Sequence, residues 1–162
     1  GLTMDRIARD AGVGKQTIYR WWPSKASVLL EAVRENCRAN AGTDVPAATT
    51  LEGRLALFFR TIFTVNRDLP GLDRVLQALM AEAQFDASFR TEFRNNLVEP
   101  MRKLLDEVLA AQAEPSAHAT NPALLLDLAF GVIWYRRLTG TGALDDALAD
   151  ELAALLTRLV QA

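Results

Sequence analysis

Apolar residues recur at intervals of three and four along most of the 162-residue chain, and the interruptions fall where glycine and proline cluster. This spacing places the apolar side chains on one face of an α-helix. The segments between the interruptions lack the alternation of apolar and polar residues that is typical of strands. The pattern therefore predicts an all-α protein.

Six helices are expected after residue 23, and glycine or proline marks most of their ends. The fifth begins at Pro122 with Asn121 as its cap, since proline fits the first position of a helix. In the second, over 51–67, the apolar residues cover more than one stripe, so we expect it to be buried on most sides. Residues 110–121 show no regular spacing of apolar residues and are expected to be a loop. The five other helices are expected over about 24–40, 51–67, 72–84, 87–111 and 145–160.

The predicted helix 87–111 carries a continuous apolar face, which includes Phe89 and Phe93 and extends back to Phe85. Pro100 lies inside this helix and removes one backbone hydrogen bond, so we expect a kink there. Because a kink separates packed helices, we also expect a cavity near Pro100. The alternative is that Pro100 only separates two helices.

The last two predicted helices carry more apolar surface than one small core needs. Leucine recurs with near-heptad spacing in the helix 145–160, and the preceding helix contains Gly131, which permits the close approach of a neighbouring helix. We therefore expect a homodimer held by four helices, two from each subunit. The candidate interface residues are Leu128, Gly131, Tyr135, Leu148, Leu152, Leu155 and Leu159.

The first 25 residues predict two short helices joined by a tight turn. Thr3 is a suitable N-cap for the first helix. Gly12 can end that helix with a positive φ angle, and Pro23 stops the second helix after 15–21. A turn this short joins two helices at a steep angle, as in a helix-turn-helix motif. A simple αα corner has the same spacing and is the alternative.

The second of these short helices has an unusual outer face. Ile18 and Trp22, four residues apart, are expected to point into a core. The remaining side chains combine an amide, a hydroxyl, cations and aromatic rings, a mixture that suits the base edges and phosphates of a DNA groove. These side chains are Lys15, Gln16, Thr17, Tyr19, Arg20 and Trp21.

Charge is divided unevenly along the chain. The net charge is only −2, but residues 1–40 contain seven Lys and Arg against four acidic residues, whereas the rest contains eleven against sixteen. The positive excess therefore coincides with the predicted helix-turn-helix, as electrostatic attraction to phosphate requires.

Three sequence runs in this region are TMDRIA at 3–8, AGVGKQTIYR at 11–20 and WPSK at 22–25. Together they resemble the DNA-binding signature of the TetR (tetracycline-repressor-like) family of bacterial transcription regulators. More loosely, the run LLLDLAFGVIWYRRLTGTG and the leucine-rich helix after it resemble the C-terminal domain of one TetR subgroup. The family places a further helix before Thr3. Because the chain starts at Gly1 without methionine, we expect that helix to be missing from it.

The resemblance implies a DNA-binding domain over 1–40 and a helical effector-binding and dimerisation domain over 41–162. It also implies a homodimeric repressor that binds double-stranded DNA at a near-palindromic operator. Our candidates for contacts to base edges are Lys15, Gln16 and Thr17. Our candidates for contacts to phosphates are Thr3, Tyr19, Arg20, Trp21 and Lys25.

The resemblance further implies that a small apolar effector binds within the C-terminal domain and releases the protein from DNA. We expect the effector to prefer a state in which the helix 24–40 is swung, which parts the two DNA-contacting helices. The alternative is that the same aromatic residues simply fill the core. The candidate lining residues are Phe59, Phe63, Met80, Phe89, Phe93, Met101, Phe130 and Trp134.

Residues for other chemistry are sparse. His118 is the only histidine and Cys37 the only cysteine, so we expect no metal site, no cofactor, no intrachain disulfide and no catalytic role. The single cysteine suits a reducing, cytoplasmic location, and no apolar run approaches the ~20 residues of a membrane span. Two other classes stay open: a helical protein-interaction module without DNA binding, and a helical enzyme.

Overall fold

A computed structural model describes residues 3–40, 48–110 and 121–161. Every regular element in these ranges is a helix, which confirms the all-α prediction, and none of these helices is long and apolar enough to cross a membrane. His118, the expected loop around it and the predicted break at 41–43 lie outside the described residues. The elements are α1 (Met4–Asp10), α2 (Lys15–Trp21), α3 (Lys25–Asn40), α4 (Leu51–Asp68), α5 (Leu72–Phe85), α6 (Ala87–Phe93), a π-helical segment (Arg94–Val98), α7 (Glu99–Ala110), α8 (Pro122–Thr139) and α9 (Asp146–Gln161).

Two helices begin with the side-chain caps that the sequence predicts. The Thr3 hydroxyl accepts a hydrogen bond from the Arg6 backbone N–H at 3.2 Å, and the Asn121 side chain accepts one from Ala123 at 3.0 Å. Such caps satisfy backbone donors that the first turn of a helix leaves open. The ends of α3, α4, α5 and α9 agree with the predicted ends to within one residue.

The buried apolar side chains form three clusters. The first lies between α4, α7, α8 and α9, and the second involves α3, α5, α6 and the π-helical segment. The third is small and joins α1 to α2 through Met4, Ala8 and Ile18. Helix α3 contributes to two clusters, since Val28 packs against the third while Leu30 is buried in the second. The first two helices therefore connect to the body of the protein through α3.

The region predicted as one kinked helix is a continuous helical run with a π-helical turn inside it. The Glu99 N–H bonds to the Arg94 carbonyl, five residues back. Pro100 follows directly and has no N–H to donate, so the irregular turn lies where the ladder of backbone hydrogen bonds is already weakened. The distortion expected from Pro100 thus lies just before it, and the run does not divide into two separate helices.

The apolar face expected to extend back to Phe85 does not reach it. Phe85 is the last residue of α5 and is 92% exposed. Asp86 ends α5 with an extended backbone and caps α6, where its carboxylate accepts hydrogen bonds from the N–H groups of Ser88 and Phe89. Because α5 and α6 are not one helix, the spacing of apolar residues across Asp86 does not define a common face.

Helix α9 packs along α4, and this packing removes two residues from the predicted dimer surface. Leu148 and Leu152 are each only 4% exposed within one subunit, in the same cluster as α4. Ala149 and Ala153 are completely buried beside them, and such small side chains let two helices approach closely. Leu148 and Leu152 therefore belong to the subunit core and are not available to a partner.

Substitution of a buried aromatic residue is expected to test this arrangement. Phe59→Ala should lower the free energy of unfolding by about 3–5 kcal/mol, because it leaves a cavity in the first cluster. The matched control, Phe85→Ala, should change it by less than about 0.5 kcal/mol, because that side chain is exposed. Urea unfolding followed by circular dichroism measures both, and equal effects would contradict the packing described.

Candidate nucleic-acid interface and ligand cavity

The turn between α1 and α2 depends on one glycine. Gly12 has a φ angle of +67°, and the Val13 N–H donates to the Ala8 carbonyl at 3.0 Å, which closes the end of α1. Glycine adopts this conformation without the steric cost that a Cβ atom imposes. Gly14 then leads into α2 with an extended backbone. The turn sets the direction in which α2 leaves α1.

One side of α2 is buried and the rest is open to solvent. Ile18 is 4% exposed, and Trp22, just after α2, is half-buried against the same cluster, as expected. Tyr19 and Trp21 are 46% and 70% exposed. Large aromatic side chains that a short helix leaves exposed indicate a contact surface. All six candidate DNA-contacting residues of α2 lie on this open surface: Lys15, Gln16, Thr17, Tyr19, Arg20 and Trp21.

Lys15 is held by a neighbour on α1. Its Nζ atom lies 2.8 Å from the Asp5 carboxylate and 6.0 Å from the centroid of the Tyr19 ring. The hydrogen bond from Lys15 to Asp5, together with the charge of Asp5, raises the pKa of Lys15 above its ordinary value, so the side chain stays cationic. The Asp5 carboxylate occupies one of the three N–H donors of the Lys15 ammonium group, so the others can contact DNA.

The two remaining candidates for DNA contacts lie at the starts of α1 and α3. Thr3 is exposed and caps α1, and Lys25 is the exposed first residue of α3. The N-terminus of a helix favours anions because its backbone N–H groups and its dipole carry positive partial charge. The eight candidates thus lie on the exposed surface of three successive helices.

Two hydrogen bonds tie α3 to the middle of the chain. The Ser27 hydroxyl donates to the Glu92 carboxylate of α6 at 2.9 Å, and Ser27 is only 2% exposed. Further along α3, Arg34 Nη1 donates to Asn96 Oδ1 of the π-helical segment at 3.4 Å. The partners are 65 and 62 residues apart in sequence, so no local pattern could have identified them. They make the position of α3 depend on α6 and the π-helical segment.

A partly enclosed, mostly apolar space of about 80 Å³ lies between α3, α4, α5, α7, α8 and the π-helical segment. We call it the inner cavity. Among the described residues that line it, Arg137 is the only one with a charged side chain. The lining residues are Val33, Cys37, Ile62, Val65, Leu72, Leu76, Leu97, Val98, Met101, Phe130, Ile133, Trp134 and Arg137.

A wider space of about 480 Å³, which we call the outer cavity, adjoins Pro100, where the sequence predicts a cavity. It shares Cys37, Leu97 and Met101 with the inner cavity, so these side chains form the boundary between the two. The outer cavity is more polar. Three basic residues line it, and each is paired with a nearby glutamate: Arg34, Arg38 and Lys103.

Five of the eight candidate cavity residues line a space in the structure. Met101, Phe130 and Trp134 line the inner cavity. Met80 and Phe93 line a more open groove of about 330 Å³, which Phe130 and Trp134 also border. The candidates from α7 and α8 therefore lie at the inner cavity, while those from α5 and α6 lie at a neighbouring groove.

The other three candidates pack within the core. Phe59 and Phe63 are fully buried in the first cluster, with ring centroids 6.2 Å apart. Phe89 is 3% exposed and lies 6.3 Å from the Phe93 ring in the second cluster. None of the three lines the inner cavity, the outer cavity or the neighbouring groove. For these residues the alternative that they fill the core is the correct one.

Sequence analysis overlooked Arg137, the charged residue of the inner cavity. Its side chain is 6% exposed, its Nε donates to the Asp73 carboxylate at 2.9 Å, and its guanidinium lies 5.2 Å from the Trp134 ring centroid. Burial lowers the pKa of Arg137, and the charge of Asp73 opposes that shift. A basic residue in the last turn of a helix is commonplace, so the sequence did not distinguish Arg137 from its neighbours.

Helix α8 presents an apolar strip to solvent. Leu124, Leu128, Tyr135 and Leu138 are 50%, 42%, 62% and 53% exposed, at spacings that keep them on one face. Gly131 lies within the strip, and a Cβ atom there would meet no atom within 4 Å. On α9, Leu155 is 41% exposed and Leu159 is partly buried against the core. We call the exposed residues of α8, from Leu124 to Leu138, the α8 strip.

In the described residues, a helix-turn-helix with an exposed second helix is joined to a helical body that contains a cavity, which is typical of a class of DNA-binding transcription regulators. Residues 1–32 match the family described as "Bacterial regulatory proteins, tetR family", and residues 45–156 match "Tetracyclin repressor-like, C-terminal domain". The chain belongs to the TetR family and is a DNA-binding transcriptional regulator.

Individual relatives agree with this assignment. The chain is 26% identical to "Uncharacterized HTH-type transcriptional regulator YdeS" of Bacillus subtilis, over 99% of this chain and 80% of that protein. It superposes on the crystal structure of the TetR family transcription regulator SCO0332 with a TM-score of 0.79 and 29% identity, covering 98% and 87% of the two chains. It shares the fold of the regulator FadR from Bacillus subtilis in complex with stearoyl-CoA, with a TM-score of 0.71 and 22% identity over 98% and 89%.

The Cys37 thiol between the two cavities is expected to react slowly. Burial raises its pKa, although the charge of Arg137 acts in the opposite direction, so less thiolate is present at a given pH than for an exposed cysteine. At pH 8, its reaction with an aromatic disulfide reagent should be slower by about tenfold or more than that of a cysteine at exposed Ala32 in an A32C/C37S variant. The rate should rise as the pH increases toward the raised pKa. Equal rates would show that Cys37 is accessible.

Proposed function

We propose that this protein is a homodimeric repressor that binds a near-palindromic operator through the exposed face of α2. An apolar small molecule in the inner cavity releases it from DNA. In this proposal residues 1–40 bind DNA, and residues 41–162 bind the effector and form the dimer. Gln16, Thr17 and Lys15 contact base edges, while the contacts to phosphates fix the register of the protein on the duplex. Thr3, Tyr19, Arg20, Trp21 and Lys25 make those phosphate contacts.

The observation that carries the proposal is the double role of α3. Val28, near its start, packs against the helix-turn-helix, while Val33 and Cys37, further along, line the inner cavity. A helix behaves as a stiff rod over this length, so a change in the cavity wall alters the position of α2. Closely packed clusters respond to such changes by moving between discrete arrangements.

The effector acts through the affinity difference between two positions of α3. A ligand that fills the inner cavity more favourably when α3 is displaced shifts the population toward that state, and a ligand with equal affinity for both states shifts nothing. Displacement of α3 changes the Ser27–Glu92 and Arg34–Asn96 hydrogen bonds, because they hold α3 against α6 and the π-helical segment.

The α8 strip supports the proposed dimer. Exposed apolar side chains that form a contiguous patch often mark an interaction site. Gly131 in the middle of the strip leaves room for a helix of a second copy. Leu155 of α9 is exposed as well, so both terminal helices contribute apolar side chains outside the subunit core. In this proposal Leu128, Gly131, Tyr135, Leu155 and Leu159 form the interface.

The chemistry of the effector follows from the cavity lining, which is aliphatic and aromatic apart from Arg137. FadR of Bacillus subtilis, whose fold this chain shares, is in complex with stearoyl-CoA, which carries a long apolar chain. TetR family regulators are typically not enzymes, and we propose that the inner cavity binds without catalysing a reaction. The expected cytoplasmic location agrees with the proposal, because a repressor must reach DNA.

Substitutions on α2 are expected to separate base contacts from phosphate contacts. The probe is DNA that the full chain selects from a random pool. On this DNA, Gln16→Ala or Thr17→Ala should weaken binding by about 1–3 kcal/mol and relax the sequence specificity at one base position. Arg20→Ala should weaken binding to all sequences, and the number of counterions released on binding, read from the salt dependence, should fall by about one. Fluorescence anisotropy at several salt concentrations measures these effects.

The matched control is Arg74→Ala, which removes an exposed cation from α5 and should leave DNA binding unchanged. If Arg74→Ala weakened binding as much as Arg20→Ala, the assignment of α2 would be wrong. A protein-interaction module would show no salt-sensitive DNA binding at all.

A charge in the α8 strip is expected to break the dimer. Tyr135→Glu should raise the dimer dissociation constant by about thirtyfold or more, because a large aromatic side chain at an interface centre contributes strongly. Phe85→Glu is the control, since it alters an exposed aromatic residue outside the strip. Sedimentation equilibrium measures both variants. A monomeric wild type, or an unaltered Tyr135→Glu dimer, would refute the interface.

A further inference from the structure

We propose that the ligand of the inner cavity is an apolar molecule with a single carboxylate, and that Arg137 is the residue that recognises the carboxylate. This inference rests on the proposed effector cavity and specifies its ligand class. Arg137 lies near the end of α8, where its guanidinium meets a lining that is otherwise made of aliphatic, aromatic and sulfur-containing side chains.

Three neighbours fix the orientation of Arg137. Asp73 of α5 accepts a hydrogen bond from its Nε at 2.9 Å, and the guanidinium stacks near the Trp134 ring at 5.2 Å. The Gln77 side chain donates to the Arg137 backbone carbonyl at 2.6 Å, which holds the end of α8 against α5. A guanidinium positioned in advance loses little conformational entropy when it binds a planar acceptor.

The charge balance at the cavity favours an anion. Asp73 does not line the inner cavity and its side chain is half-exposed, so the lining presents the guanidinium but not the carboxylate that balances it. Burial lowers the pKa of Arg137, and the charge of Asp73 and its hydrogen bond to Arg137 act in the opposite direction. A ligand oxygen with negative charge offers the guanidinium an additional acceptor, whereas a cationic ligand is repelled.

The same lining limits the ligand to one charged group. A doubly charged phosphate needs several donors, and the described residues that line the inner cavity offer one guanidinium among apolar side chains. A carboxylate matches the planar, two-pronged geometry of a guanidinium. The rest of the ligand must be apolar, since an unpaired polar group in such a lining costs free energy.

Cavity size sets the length of the apolar part. At about 80 Å³ the inner cavity is smaller than the ~150 Å³ engineered cavity that takes up benzene, so a ligand of one ring or more must displace part of the wall. Leu97 and Met101 separate it from the outer cavity, which offers about 480 Å³. Cys37 of α3 lines the inner cavity together with Arg137, so a carboxylate at Arg137 lies in a cavity that α3 borders.

Matched ligand pairs test the inference. Phenylacetate and 2-phenylethanol, and octanoate and 1-octanol, have similar apolar bodies and differ in the charge of the end group. Isothermal titration calorimetry on the full chain should show tighter binding of each carboxylate by about tenfold or more, since hydrogen bonds to charged groups are the stronger ones. Arg137→Met should abolish this preference while the alcohols still bind, and Arg137→Lys should restore part of it.

Asp73→Asn provides a second test that does not remove the guanidinium. It eliminates a competing carboxylate, so the preference for the carboxylate ligand should increase. If Arg137 only joins α5 to α8, Arg137→Met lowers stability but leaves the ratio of the two affinities unchanged, and the inference is overturned. Three further results would also overturn the inference. They are no carboxylate preference in the wild type, no binding of either ligand pair, and a carboxylate preference in Asp73→Asn that is unchanged or smaller.

DNA binding by the same samples distinguishes this inference from the proposed function. A protein that binds DNA with steep salt dependence but shows no carboxylate preference refutes the ligand class and leaves the regulator intact. A protein that prefers carboxylates but never binds DNA refutes the proposed repressor and leaves the assignment of Arg137 standing.

Discussion

The packing of α3 into two hydrophobic clusters is the constraint on which the rest of the structure depends. Val28 contacts the cluster that joins α1 to α2, and Leu30 and Val33 are buried in the cluster that α5, α6 and the π-helical segment complete. Helices of seven residues such as α1 and α2 are not stable alone in water, so they take their position from tertiary contacts. Helix α3 supplies such contacts and also lines the inner cavity, so a single helix contacts both the cluster beneath the recognition helix, α2, and the cavity.

The π-helical segment contacts both α3 and the inner cavity. It follows α6, precedes Pro100, and contributes Leu97 and Val98 to the inner cavity while Asn96 bonds to Arg34 of α3. A π-helical turn carries a less regular set of backbone hydrogen bonds, and such turns are frequent at functional sites. Proline immediately after it removes another backbone donor. When a cavity wall formed by this segment moves, it breaks fewer regular backbone hydrogen bonds than an ideal α-helix would break in the same movement.

The two terminal helices divide their apolar residues between two tasks. Helix α9 uses Leu148, Leu152 and Leu156 with buried alanines to pack along α4, and Arg60 Nη2 of α4 donates to both carboxylate oxygens of Asp150 on α9, at 2.6 and 2.8 Å. Helix α8 buries Ile133 in the core and exposes the α8 strip on another side. The inner cavity and the exposed strip therefore both involve α8.

The amino-acid sequence alone determined the all-α class, the ends of most helices and the residues that the recognition helix exposes. These features follow from local chemistry: periodicity assigns a face, Thr3 and Asn121 cap helices, and Gly12 ends one. Only the tertiary structure decided which apolar faces meet each other. Near-heptad leucines did not reveal that Leu152 faces α4, and helical spacing did not reveal that Phe59 fills the core while Val33 borders a cavity. Nor did it single out Arg137, because burial of a charge and a gap between helices result from contacts between residues far apart in sequence.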